Sequence, residues 1–127
     1  MVQPDRLFIG LGALLAFAAV GLGAFGAHGL ASYLDPNGMR VYQTGVQYHL
    51  AHSLGLILLG MTIREQPSSF TLKFSAWAMI VGTLLFSGSL YLLAVLNLSW
   101  LGMITPLGGL LLLISWLSLA YGMLLAK

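Results

Sequence analysis

Three histidines, His28, His49 and His52, are the only side chains in this 127-residue chain suited to acid–base or ligand chemistry near neutral pH. His49 and His52 stand three apart, so on a helix they share a face, and Tyr48 lies one turn from His52. Three imidazoles can bind copper or zinc, and two can ligate a haem or hold a quinone. Against this, neutral histidines near a membrane interface also hydrogen-bond between helices. The structural role is favoured, as a link between the first and second helices. No acidic or sulfur ligand stands nearby except Met39. A bound haem would declare itself as a Soret band in the purified protein.

Other catalytic chemistry finds little material. The chain has no cysteine and only three acidic residues, which excludes thiolate sites and disulfides. Paired carboxylates, a serine–histidine–acid set and a metalloprotease helix signature are all missing from the sequence. The expected activity is non-enzymatic, with no cofactor.

The histidines must be positioned by a membrane protein. Hydrophobic residues make up 59% of the chain and charged residues 6%, too few to coat a soluble core. Four apolar stretches, about 7–27, 46–63, 72–96 and 104–126, each approach the ~20 residues a spanning helix needs. The expected fold is all-α: one transmembrane domain over 1–127, an integral membrane four-helix bundle. Arg6 before the first stretch, and small residues near Ala27, also suit a secretory signal. Three further spans and the length of the apolar run favour a retained helix. The small excess of positive charge implies no nucleic-acid surface.

Four spans put Arg6, Arg64, Lys73 and Lys127 on one side and Arg40 on the other. Short loops rich in Lys and Arg stay cytoplasmic, so both termini are expected inside. Tyr33, Tyr42, Tyr48, Tyr91 and Trp100 fall near the outer boundary, and Trp116 reads as a deeper packing residue. Between the first two spans, Asp35 reads as the N-cap and Pro36 as the first residue of a helix over about 36–44. This short helix is expected to lie along the interface and turn into the second span near Gly45. Asp35 and Arg40 could pair, but a cap and an exposed cation is the plainer reading.

Lipid is as apolar as leucine, so the bundle must hold by close packing of small residues and by interhelical hydrogen bonds. Gly12 and Ala16, extended by Ala19, Gly23 and Ala27, form the expected packing stripe of the first helix. Ala78, Gly82, Gly108 and Gly109 offer similar faces, and Ser87, Ser89 and Thr105 can bond backbone carbonyls or a neighbouring helix.

Four ordered segments carry a resemblance. Gly23-Ala24-Phe25-Gly26-Ala27-His28-Gly29-Leu30 comes first, then Thr44-Gly45-Val46-Gln47-Tyr48 with His52. Phe86-Ser87-Gly88-Ser89-Leu90-Tyr91 and Ile104-Thr105-Pro106-Leu107-Gly108-Gly109 follow. Over essentially the whole chain this resembles the YgdD/YwdK-like family of small four-helix membrane proteins. Its eukaryotic relatives are known as transmembrane protein two-five-six. The resemblance implies a bacterial inner-membrane protein and no particular activity. His28 and His52 fall on its motif positions, whereas His49 stands where its pattern more often has glutamine. A three-histidine metal site would then be peculiar to this chain. The more economical site is a structural one, His28 and His52 supported by Tyr48, locking the first helix to the second.

Three functions fit. The favoured one is an accessory, assembly or lipid-packing subunit of a larger membrane complex or homo-oligomer, embedded in the lipid bilayer. The second is metal, haem or quinone binding by the histidines at the outer face. The third is small-solute transport, though no acidic residue lies inside a span to exchange protons as in small multidrug exporters.

Overall fold

A computed structural model of the chain describes residues 1–125; Ala126, which ends the expected fourth span, and Lys127 lie outside the described residues. The described chain is all-helical: α1 (Pro4–His28), α2 (Pro36–Glu65), α3 (Phe70–Leu96), a 3-10 turn (Ser99–Met103) and α4 (Thr105–Leu124). Helices α1, α2 and α3, and the segment Ser99–Leu124, are each long and apolar enough to cross a membrane.

Local chemistry sets the helix ends. Asp35 Oδ1 accepts the Gly38 N–H at 2.6 Å and Pro36 opens α2, while Ser69 Oγ accepts from Leu72 N at 3.3 Å to start α3. Asn97 closes α3 in the left-handed region (φ 54°), which asparagine tolerates better than most residues. Pro106 lies in the first turn of α4, where its missing N–H leaves no broken bond.

The separate interfacial helix over 36–44 is not found. Residues 36–65 form one uninterrupted helix, roughly 45 Å long at 1.5 Å per residue, against a hydrocarbon core of about 30 Å. The expected turn near Gly45 rests on glycine as a helix breaker. Here Gly45 is buried and serves close contact: a Cβ on it would stand 2.9 Å from the Tyr91 ring. Its carbonyl also accepts a hydrogen bond from Ser87 Oγ at 2.7 Å.

The helices pack as an open row. Helix α1 lies on α2, α2 on α3 and α3 on α4, while α1 and α4 make no extensive contact with each other. With four antiparallel crossings, both described chain ends lie at the same end of the bundle. There Arg64 Nε donates to Asp5 Oδ2 at 3.0 Å. The apolar core leans toward that end, with Phe8, Leu56, Leu59, Ile63, Leu72, Ala76, Met79 and Leu112 packed together.

Along α1, Gly12, Ala19 and Gly26 are buried, Ala16 and Gly23 are half-buried and Ala27 is exposed. The expected stripe is therefore corrected at its end, where Gly26 replaces Ala27. Four-residue steps drift around a helix, whereas the seven-residue steps 12, 19 and 26 hold one seam toward the partner. At Gly12 the two backbones come so close that a Cβ would stand 2.9 Å from the Ser53 carbonyl oxygen.

Candidate functional site

The register of α1 against α2 decides where each histidine can reach. Gly12 faces Ser53 and Ile57, Gly23 faces Val46, and Gly26 faces Tyr42. His28 is then level with Arg40, about twelve residues or roughly 18 Å along the axis from His52. His28 is exposed and forms no side-chain hydrogen bond among the described residues. The expected pair of His28 and His52 is thus not formed. Its physical reason is axial distance: the two share a helix pair but not a level. By the same register His52 lies opposite residues 15 and 16, the middle of α1, well below the outer end where the sequence places it.

His52 is held from α4 instead. Trp116 Nε1 donates to His52 Nε2 at 3.0 Å, and His52 Nδ1 stands 2.7 Å from the Tyr48 carbonyl. An indole N–H can only donate and a carbonyl can only accept. His52 must therefore be neutral, with its proton on Nδ1 and its Nε2 lone pair facing the indole. Both nitrogens are engaged, so His52 has no lone pair left for a metal. Tyr48 supports this ring by stacking, centroids 5.9 Å apart and planes 10° from parallel, and through its carbonyl, while its hydroxyl forms no hydrogen bond among the described residues.

His49, one turn away, faces α1 and α3. It is 6% exposed, and its Nδ1 lies 2.8 Å from the Tyr91 hydroxyl. Its Nε2 is buried without a hydrogen-bond partner, and the Leu15 carbonyl faces it without meeting hydrogen-bond geometry. The Tyr91 hydroxyl donates to no other acceptor among the described residues. Assigning its proton to the His49 Nδ1 lone pair satisfies both groups and leaves the histidine proton on Nε2. The two neighbouring histidines then carry opposite tautomers, each set by a different helix. Beside His49, a cavity of about 250 Å³ opens between α1 and α3, lined by Leu15, Ala18, Leu22, Thr83, Ser87 and Gly88 among others.

The tyrosines expected at the interface partly turn inward. Tyr42 is 2% exposed; its hydroxyl donates to the Leu22 carbonyl and its ring fills the space left by Gly26. Its ring centroid lies 5.2 Å from that of Tyr91. Tyr33 stays exposed. Serines add two further links that the sequence reading partly missed. Ser75 and Ser115 each donate to the other's carbonyl at 2.7 Å, clamping α3 to α4. The expected Ser89 and Thr105 hydroxyls meet at 2.6 Å.

No cluster of three or more histidine, aspartate or glutamate side chains able to hold a metal occurs among the described residues. His28, His49 and His52 point to solvent or lipid, to α1 and α3, and to α4 respectively. Asp35 acts as a cap and makes no ion pair with Arg40 among the described residues.

Four helices long and apolar enough to span a membrane define an integral membrane protein of the small helical-bundle class. Residues 22–109 match the family described as "Protein of unknown function (DUF423)", and the chain belongs to that family. It is 47% identical over 112 residues to the Bacillus subtilis UPF0382 membrane protein YwdK, covering 88% of this chain and 91% of the relative. A UPF0382 membrane protein of Staphylococcus haemolyticus is 45% identical over 114 residues, 90% of this chain and 92% of the relative. One from Haemophilus influenzae is 39% identical over 120 residues, with 94% and 95% covered. No solved structure matches the chain. The YwdK-like resemblance read from the four motifs agrees with these relatives.

Proposed function

We propose that this protein is a non-catalytic accessory subunit of a larger complex in the bacterial inner membrane, with both termini in the cytoplasm. The observation that carries this reading is the outward face of α1. Gly10, Ala13, Gly21 and Ala24 are exposed there, and a Cβ built on Gly10 or Gly21 meets nothing within 4 Å. Glycine costs a helix about 1 kcal/mol relative to alanine, and within membranes small residues serve close helix approach. The inward seam of α1 already uses Gly12, Ala19 and Gly26, so the outward glycines serve no contact among the described residues. Arg6, Arg64 and Lys73 at the end carrying both described termini, against Arg40 at the other, support the orientation. The absence of a serine–histidine–acid or paired-carboxylate set in the sequence supports a non-enzymatic role.

Extraction in mild detergent from the native membrane, followed by native gel and mass spectrometry, tests this. The expected result is a larger assembly that is lost in Gly10→Leu and Gly21→Leu variants whose helicity is unchanged. The masses of its components separate a hetero-complex from a homo-oligomer. A strictly monomeric, partner-free species at every detergent strength would overturn the proposal.

A further inference from the structure

We propose that the cavity between the start of α2 and the end of α3 binds the primary ammonium of a phosphatidylethanolamine headgroup, with Asp35 as its counter-ion. The cavity lies at the end of the bundle away from both described termini. It is separate from the outward α1 face and does not depend on which way the bundle points across the membrane. Three observations carry the site: acceptors without donors, a volume beyond that of a bare ion, and a level among the headgroups.

The acceptors come from two helix ends. Asp35 Oδ1 takes the Gly38 N–H, and Oδ2 forms no hydrogen bond among the described residues. Asp35 caps α2, so its charge offsets the positive end of that helix. The cavity's other wall is the end of α3. There the Leu93 carbonyl accepts from Asn97 N, whereas the carbonyls of Ala94 and Val95 accept no hydrogen bond among the described residues. Terminal carbonyls point along the helix axis and carry its negative partial charge. Helix α3 has no basic residue in its last turn, and neither Lys nor Arg lines the cavity among the described residues. A cation with several N–H donors answers the carboxylate and the carbonyls together.

The cavity is half open and holds about 420 Å³, within the roughly 300–1,000 Å³ of small-molecule sites. A bare metal ion would occupy little of it and would find one carboxylate. Depth points to a lipid. Ile63 is the last apolar residue of α2 before Arg64. Counting about 20 residues back from it, the ~30 Å of a hydrocarbon core, puts the edge of the core near Gln43. Positions 35–41 then stand roughly 3–12 Å beyond that edge, at the level of the headgroups. Val95 and Leu96 are exposed beside the site and offer an apolar surface to the lipid's chains.

The acceptors also select among headgroups. A choline ammonium has no N–H, so it would leave the α3 carbonyls unpaired. It is held by aromatic cages, whereas Tyr33 is the one aromatic residue lining this cavity among the described residues. A glycerol headgroup brings a phosphate and no ammonium. Arg40, exposed and three residues on from Asn37, neighbours it on the α2 surface and can meet the phosphate beside the cavity.

The test uses the full-length protein in maltoside micelles and follows the backbone amide NMR signals of Gly38 and Asn97. Dioctanoyl phosphatidylethanolamine is the probe. The dioctanoyl choline and glycerol lipids are the headgroup controls, and glycerophosphoethanolamine is the headgroup without chains. Saturable shifts with the ethanolamine lipid are expected, with each control about tenfold weaker or more, as for the loss of one charge-assisted hydrogen bond. Asp35→Asn keeps an N-capping side chain and removes the charge, so helicity should hold while binding weakens about tenfold. Ala94→Phe should fill the cavity and abolish binding, and it tests the site even if Asp35→Asn disturbs the start of α2. Equal affinity for the choline or glycerol lipid, or undiminished binding in either variant, would overturn the proposal. Glycerophosphoethanolamine binding as tightly as the lipid would overturn the lipid as occupant, and the absence of any saturable shift would sink the site altogether.

Discussion

The bond between Trp116 and His52 is the sharpest energetic statement in this fold, because it joins α4 to α2 at mid-depth. Replacing Trp116 with Phe removes the only donor to the His52 Nε2 lone pair among the described residues. Trp116 is 44% exposed, so lipid takes up much of the space vacated and the lost bond dominates the change. Interhelical hydrogen bonds in membranes contribute about 0.6 kcal/mol on average and about 1.7 at most. The 3.0 Å geometry and a histidine with no alternative donor place this one near 1 kcal/mol, about a fivefold change in the unfolding equilibrium. The assay is a double-mutant cycle of Trp116→Phe, His52→Phe and the pair. Unfolding is driven by SDS in mixed micelles and followed by circular dichroism. His52→Phe also removes the bond to the Tyr48 carbonyl, but that carbonyl belongs to an intact helix and the cycle cancels the loss. Single-mutant effects that add to within about 0.3 kcal/mol would refute the bond as an interhelical lock.

Nitrogen-15 NMR of histidine-labelled protein should show opposite tautomers: the proton on Nδ1 in His52 and on Nε2 in His49. The same tautomer in both rings would break the assignment through Trp116 and Tyr91. In a stability series, Gly12→Leu should destabilise the fold by about 1–3 kcal/mol through overpacking against Ser53 and Ile57, while Gly10→Leu stays near neutral. A reversed order would mean that α1 is rotated about its axis. Asp5→Asn should leave stability nearly unchanged, since the Arg64 side chain is 57% exposed, and any effect should fade in high salt. A loss that is larger and insensitive to salt would show the pair to be buried in the native membrane.

What could be read in the sequence divides along a physical line. Span count, the Asp35 cap and the helix start at Pro36 depend on a residue and its chain neighbours. Ser87 and the pair Ser89–Thr105 were also legible, because a hydroxyl in an apolar span must find an acceptor on its own helix or the next. Gly26 was legible in principle, through the seven-residue spacing from Gly12 and Ala19, but the four-residue spacing competes with it over so short a run. Other features depend on rotation and register between helices, which no local pattern contains. Ser75 and Ser115 meet only once the α3–α4 hairpin has a fixed register. Trp116 reads as packing until α3 sets α4 beside α2, and His52 is 64 positions away in the chain.

The same distinction explains why a histidine pair on one helix face did not become one site. Residues three apart share a face only within about 60° of rotation, and an open row of helices presents different neighbours across that angle. From α2, one direction meets α1 and α3 at Tyr91, and the other meets α4 at Trp116. In a square bundle both rings would look into one core and could converge on a metal. Here α3 divides them, giving one histidine two partners and the other a partner and a cavity. The surroundings of each ring follow from which helix stands opposite it: His52 has both nitrogens engaged, and His49 keeps Nε2 buried against α1 with no hydrogen-bond partner among the described residues.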